Sequence, residues 1–494
     1  MKQFIFIIVL GISGGLLSCK KQLQEDPPSI ITINNFYQTS NDAQSAVNGI
    51  YSFVYPPYSK YDFDALPYAM LEMVTGLFTN KSESPSTAIY YNLNYSSADP
   101  YVLSWWSSSY EGIEAANLAI ANIPGISMDT TLKSQLIGEA HFLRAYFYYN
   151  LVNIFGPVPM KTKPTVSPAD GLLPKTPVQD IYDSVIVPDL LAATASPLVA
   201  TPNGNGRVSL GAAQTLLAKV YLSMAGNPVN EADKFGMARD EALAVINSNA
   251  FSLFQTDANL TWFNKLNNPA FDNTQEVIYA INYEANVNDA SLPNYFLPQE
   301  SIFTPFLQFG GFYPNTPFLN SYAPNDLRGL HNMGFFYDSI IVSGVTHNFP
   351  WAIYKYFDQG LITNSPHSGK GYNILRYADL LLVYAEAENE ADGSANTTAY
   401  AALNSIRTRA GLAPVAGLSQ ADFRTEVWKE RYWELCAENK AWFDIVRTQK
   451  IFDATNNRFV NVVGFTLPSG ATFTQGDLQF PIPLSEVEVN PLLQ

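Results

Sequence analysis

Cysteine is nearly absent, with Cys19 and Cys436 the two in 494 residues. Once Cys19 is assigned to an anchor, as argued below, no intramolecular disulfide is available and stability must come from the core. Histidine is equally sparse: His141, His331, His347 and His367 form no H-E-x-x-H pair and no Cys/His grouping at zinc spacing. No G-x-S-x-G elbow and no G-x-x-x-x-G-K-[ST] phosphate loop occurs, so no catalytic motif, metal or cofactor is implied. Paired carboxylates of glycosidase type stay open, because folding alone can bring two acids together. Positive charge is also short. Lys and Arg total 28 against 44 Asp and Glu, a formal charge of −16, which would repel nucleic acid and excludes it as a partner. Long apolar runs are missing too: Phe4 to Leu17 supplies fourteen residues, fewer than the ~20 that cross a bilayer.

That short run is nevertheless informative. Lys2, an apolar core and the small residue Ser18 follow the order of a secretory signal peptide, and Cys19 stands at the cleavage point. Leu16-Leu17-Ser18-Cys19 resembles the lipobox of bacterial lipoproteins, which implies cleavage before Cys19 and acylation (palmitate or a similar chain) of its sulfur and new N-terminus. More than one acyl chain holds a protein stably to a membrane. Lys20 after the cysteine favours the outer membrane under enteric-type sorting rules. Residues 1–18 are then leader, residues 19–35 a polar, Pro-containing tether, and residues 36–494 a single large domain undivided by any Gly/Ser linker. Losing residues 1–18 removes one Lys and no acid, taking the formal charge from −16 to −17.

Helical periodicity dominates the rest. Ser40 or Asn41 can cap a helix over Ala43 to Phe53, and Tyr110 to Ala121 reads as another. Leu136, Ala140, Leu143, Phe147, Leu151 and Ile154 recur at steps of three and four before Gly156-Pro157. Leu210 to Met224, Tyr377 to Ala391, Thr397 to Ala410 and Ala421 to Arg447 extend the pattern, each mixing small Ala with large Leu or Tyr. These segments predict a mainly α fold, a tetratricopeptide-like scaffold of helical hairpins with little β structure. The period fails near 55–106 and 250–373, where Asn, Pro, Gly and rings predominate and Glu276 to Ile281 alone reads as a strand. Loops that long in a compact chain are usually functional or disordered, and with this many rings they are expected to be ordered and functional.

Blocks spread over nearly the whole mature chain resemble the SusD/RagB family of outer-membrane lipoproteins. They are Asn35-Phe36-Tyr37 with "AQSAVNGIY" from Ala43, "WSSSYEGIEAANLAIANI" from Trp106, "GEAHFLRAYFYYNLVNIFGPVPM" from Gly138, "ILRYADLLLVYAEAENEADG" from Ile374 with "LNSIRTRAGL" from Leu403, "KERYWELCAENKAWFDIVR" from Lys429, and "FPIPLSEVEVNP" from Phe480. Asn439-Lys440 departs from the Gly-His or Gly-Lys that the family commonly carries there. The resemblance implies surface capture of an oligomeric nutrient, most often glycan, and its delivery to a SusC-like TonB-dependent transporter. Oligopeptide capture by the same architecture is the alternative, and a glycoside hydrolase a more distant one.

The motif residues read first as structure. Arg376, Tyr377, Glu386, Arg431 and Glu434 are expected on helices as buried paired charges, with Glu438 and Asp444 in one-turn ion pairs; Trp106 and Asn117 are expected in the core and His141 in interhelical hydrogen bonding. Ligand contacts are expected in the aromatic stretches. Sugar C–H faces pack on rings while hydroxyls need amide or acid partners. Tyr90, Tyr91, Asn92, Tyr95 and Trp105 supply that mixture in one stretch, and Asn294, Tyr295, Phe312 and Tyr313 supply it in the other.

Overall fold

The computed structural model describes residues 36–58, 67–79, 85–202, 206–298, 302, 312–358, 360 and 367–494. The leader, Cys19 and the tether lie outside the described residues. The main helices are α1 Ser40–Ser52, α2 Tyr68–Met73, α3 Pro85–Tyr91, α4 Pro100–Asn122, α5 Thr130–Phe155, α6 Val187–Ala195, α7 Leu210–Met224, α8 Lys234–Asn247, α9 Tyr377–Ala391, α10 Thr397–Arg409, α11 Gln420–Glu434 and α12 Ala441–Thr448. Strands are β1 Phe78–Thr79, β2 Val277–Ile281, β3 Tyr313–Pro314, β4 Phe336–Val342, β5 Val345–Ile353 and β6 Tyr372–Arg376, with shorter pieces elsewhere. The fold is mainly α, as expected.

Local chemistry explains the helix ends. At α1, Thr39 is the N-cap and forms a capping box with Asp42, one or two residues ahead of the expected cap. Helix α4 starts ten residues before the expected Tyr110. Asp99 caps it by accepting from the Tyr101 and Val102 amides, and Pro100 at the first position costs no hydrogen bond. Helix α5 runs from the Asp129 cap to Gly156, whose φ of 72° ends it. Its side chains from Gly138 to Phe155 are nearly all buried, so it is sheathed on all sides and not a surface stripe.

The helices pack as a series: α4 on α5, α5 on α6, α6 on α7, α7 on α8, α8 on α9, and α9 on both α10 and α11. Helix α1 covers the α4 and α5 end. A main cluster of buried side chains runs from Ala43 to Leu493, and a smaller one lies beneath β4 and β5. Small β elements carry the non-helical half. β2 pairs antiparallel with β6, and β1 with β3.

The β4–β5 hairpin was not expected from the sequence. Ser343 and Gly344, both at positive φ, form the two-residue turn that joins Val342 to Val345.

Candidate functional site

The structure buries most of the rings expected to meet a ligand. Trp105 lies inside α4, is 2% exposed, and its indole N–H donates to the Pro67 carbonyl at 2.9 Å. Tyr90 is fully buried and its hydroxyl donates to Asp99 at 2.5 Å, which helps fix the cap that starts α4. Asn294 and Tyr295 sit in the short buried helix Leu292–Phe296. Phe312 packs edge-on against Phe78, Tyr295 and Phe296, while Tyr313 pairs with Thr79 in the β1–β3 ladder. None of these side chains offers a face to solvent. Tyr90, Trp105, Tyr295 and Phe312 belong to the main core and Tyr313 to the smaller cluster, and clustering in sequence alone does not separate a stacking platform from a core.

Tyr91, Asn92 and Tyr95 are half-buried at the end of α3. Tyr95 lines an open cleft of about 550 Å³ with Phe480, Lys175 and Gln479, its ring 4.6 Å from that of Phe480.

A second cleft fits the chemistry better and was missed. It measures about 190 Å³ and lies between the end of α1, residues Gly206 and Arg207, and strand β2; Asn48, Tyr51, Tyr55 and Asn282 complete its wall. The Tyr55 ring is half-buried, held edge-on against Tyr283 at 5.4 Å while its hydroxyl donates to the Asn282 carbonyl at 2.7 Å. Beneath it, the Tyr51 hydroxyl donates to Glu139 and accepts from the Val208 amide. Arg207 forks onto Glu139 at 3.1 and 2.8 Å and donates to the Asn48 side-chain oxygen at 2.7 Å. Burial lifts the Glu139 carboxyl above its ordinary range, against the pull of Arg207 and Tyr51. Gly206 has φ of 69°, which favours glycine, and a Cβ there would meet the Asn282 side-chain nitrogen at 1.6 Å and push that side chain aside. The Asn48, Gly206–Arg207 and Asn282 contributions lie far apart in the chain, which hid the site from the sequence.

A third cleft of about 330 Å³ is lined by Asn264, Asn268, Met333, Tyr354, Phe357 and Asp358. It falls in the second irregular region. Tyr354 and Phe357 stack at 5.0 Å along its wall.

One family model, described as "SusD family", matches residues 339–494, and another, described as "Starch-binding associating with outer membrane", matches residues 24–222. A solved SusD superfamily protein from Parabacteroides distasonis is 33% identical and superposes with a TM-score of 0.87, covering 92% of this chain and 98% of that one. The chain belongs to the SusD/RagB family. A SusD-like protein of Formosa agariphila is 26% identical, covering 100% of this chain and 98% of its own length. Surface glycan-binding protein A of Bacteroides uniformis shares the fold at 21% identity and a TM-score of 0.75, covering 92% of this chain and 99% of that one.

In this SusD-family chain the motif residues are structural. Arg376, at the end of β6 and not inside a helix, donates to Glu276, Glu434 and Glu438. Glu434 also receives Arg328 and Arg409. Burial alone would raise its carboxyl, yet these guanidinium groups hold it down to about 2. Arg431 pairs with Asp379 and Asp444, and Glu386 with Arg447. Asp444 does make a one-turn pair, with Arg447 at 2.8 Å, while Arg431 itself bridges to segments outside its own helix. Trp106 and Asn117 are buried, and His141 bonds Asp189 on the next helix at 2.6 Å. At the departure from the family pattern, the Asn439 amide donates to Glu72 and Lys440 to the Ile374 carbonyl, both internal contacts. Among the described residues no group of three His, Cys, Asp or Glu is placed to hold a metal ion, and no helix is long and apolar enough to cross a membrane.

Proposed function

We propose that this SusD-family protein is anchored to the cell outer membrane through lipidated Cys19, captures oligosaccharide without cleaving it, and delivers it to a SusC-like TonB-dependent transporter. The observation that carries the binding part is the Tyr55 cleft. The half-buried Tyr55 ring lies there beside the Asn48 and Asn282 side chains and the Arg207 guanidinium, the mixture of ring and polar groups that a sugar requires. The glycan named for the family model over residues 24–222 supports the same ligand class. Tyr91, Asn92 and Tyr95 remain a second, separate candidate surface in this reading. Delivery rests on family membership, since a tethered protein has no pore of its own.

Calorimetry of the lipid-free mature chain against a glycan panel tests the reading. Tyr55→Ala should lose about 1 kcal/mol or more of binding in protein that circular dichroism shows to be folded. Oligopeptide binding with no glycan bound would replace the ligand class, and steady release of cleaved sugar by the purified protein would replace binding with catalysis. Crosslinking in native outer membrane should recover a large barrel protein; its absence would count against delivery.

A further inference from the structure

The Tyr55 cleft contains one charged lining residue among those described, Arg207, and its charge is spent inside the protein. Both fork nitrogens face the Glu139 carboxylate, at 3.1 and 2.8 Å, and the third meets Asn48 at 2.7 Å. Glu139 is 5% exposed, so it neutralises Arg207 from below without itself reaching a ligand. The rim therefore presents a phenol ring and the Asn48 and Asn282 side-chain amides, but no net positive charge. A neutral hydroxyl can use such groups at little desolvation cost. A carboxylate or sulfate entering the cleft would lose hydration and find no uncompensated cation in return. Outside the cleft, the chain's formal charge of −16, or −17 once the leader is removed, repels polyanions over about a Debye length, ~8 Å at physiological salt.

We infer that the Tyr55 cleft selects uncharged sugar units and rejects uronic-acid and sulfated ones, and that the Glu139 carboxylate beneath Arg207 sets this selectivity. The inference rests on the glycan reading above and narrows its ligand class. Charge selection here comes from a residue that touches no ligand: Glu139 is a positioning and neutralising residue behind the cleft.

The lipid-free mature chain would be titrated with neutral malto-, cello-, xylo- and manno-oligosaccharides and with oligogalacturonate and oligoguluronate of matched length, at low and physiological salt. A neutral series should bind with affinity nearly independent of salt, and the acidic series about tenfold or more weaker. Glu139→Gln keeps the acceptor for Tyr51 but removes the neutralising charge. That variant, its fold checked by thermal melting and circular dichroism, should narrow the neutral-over-acidic preference about tenfold, with the change erased by salt. Equal or tighter binding of acidic oligosaccharides to the unmodified chain overturns the inference and leaves the glycan reading intact, as does a folded Glu139→Gln variant with unchanged preference. Binding of neither series overturns the glycan reading itself.

Discussion

The Tyr51 hydroxyl donates to the Glu139 carboxylate at 2.5 Å, joining α1 to α5 across 88 residues of sequence. The same oxygen accepts from the Val208 amide at 2.9 Å, so one phenol ties three segments at the base of the Tyr55 cleft. Tyr51→Phe should cost about 1–3 kcal/mol, because a buried carboxylate loses a donor and a backbone amide loses its acceptor. Chemical denaturation measures this. A loss below about 0.5 kcal/mol would show that the junction is held by packing alone.

Trp105→Ala should act on stability and not on recognition. The indole is buried, packs edge-on against Tyr58 at 5.5 Å and bonds the Pro67 carbonyl, so truncation should cost about 3 to 5 kcal/mol. The folded fraction should bind glycan with unchanged affinity in calorimetry. Weakened binding with an unchanged melting temperature would place the indole in a ligand site after all.

Glu72 predicts a pH effect of definite sign. Burial pushes its carboxyl from 4.5 up to about 7, against the Asn439 amide and nearby Lys355, which stabilise the charged form. A carboxyl raised in the folded state contributes stability in full below about 4.5, and that contribution is lost as pH rises toward about 7. The full swing is about 3 kcal/mol at 1.36 kcal/mol per pH unit. Unfolding free energies at pH 5 and pH 7.5 should therefore fall more steeply with pH in the unmodified chain than in Glu72→Gln. Parallel pH profiles would remove Glu72 as the source.

Cys19→Ala should abolish lipid labelling and release the mature chain from membranes. Continued fractionation of that variant as an integral lipoprotein would disprove the anchor.

The sequence by itself determined the helical scaffold, the family and the motif residues as structure. Periodicity and end signals are local: Gly156 after the α5 run and the Tyr377 to Ala391 stripe specify helices whatever surrounds them. The start of α4 carries the local signal Asp99-Pro100, although the helical period reads only from Tyr110. Buried charge pairing was legible in kind, but not in partner. Arg431 meets Asp379 and Asp444 through tertiary packing, where the helical spacing of Glu434 suggested a local bridge. Tertiary structure alone decided which rings face solvent. Trp105 and Tyr55 both fall in the ring-rich stretch 55–106. Trp105 is enclosed because α4 packs into the core, whereas Tyr55 stays half-buried on the wall of a cleft shared with β2 and Gly206. Exposure depends on what arrives from elsewhere in the chain, and no local pattern of residues contains that information.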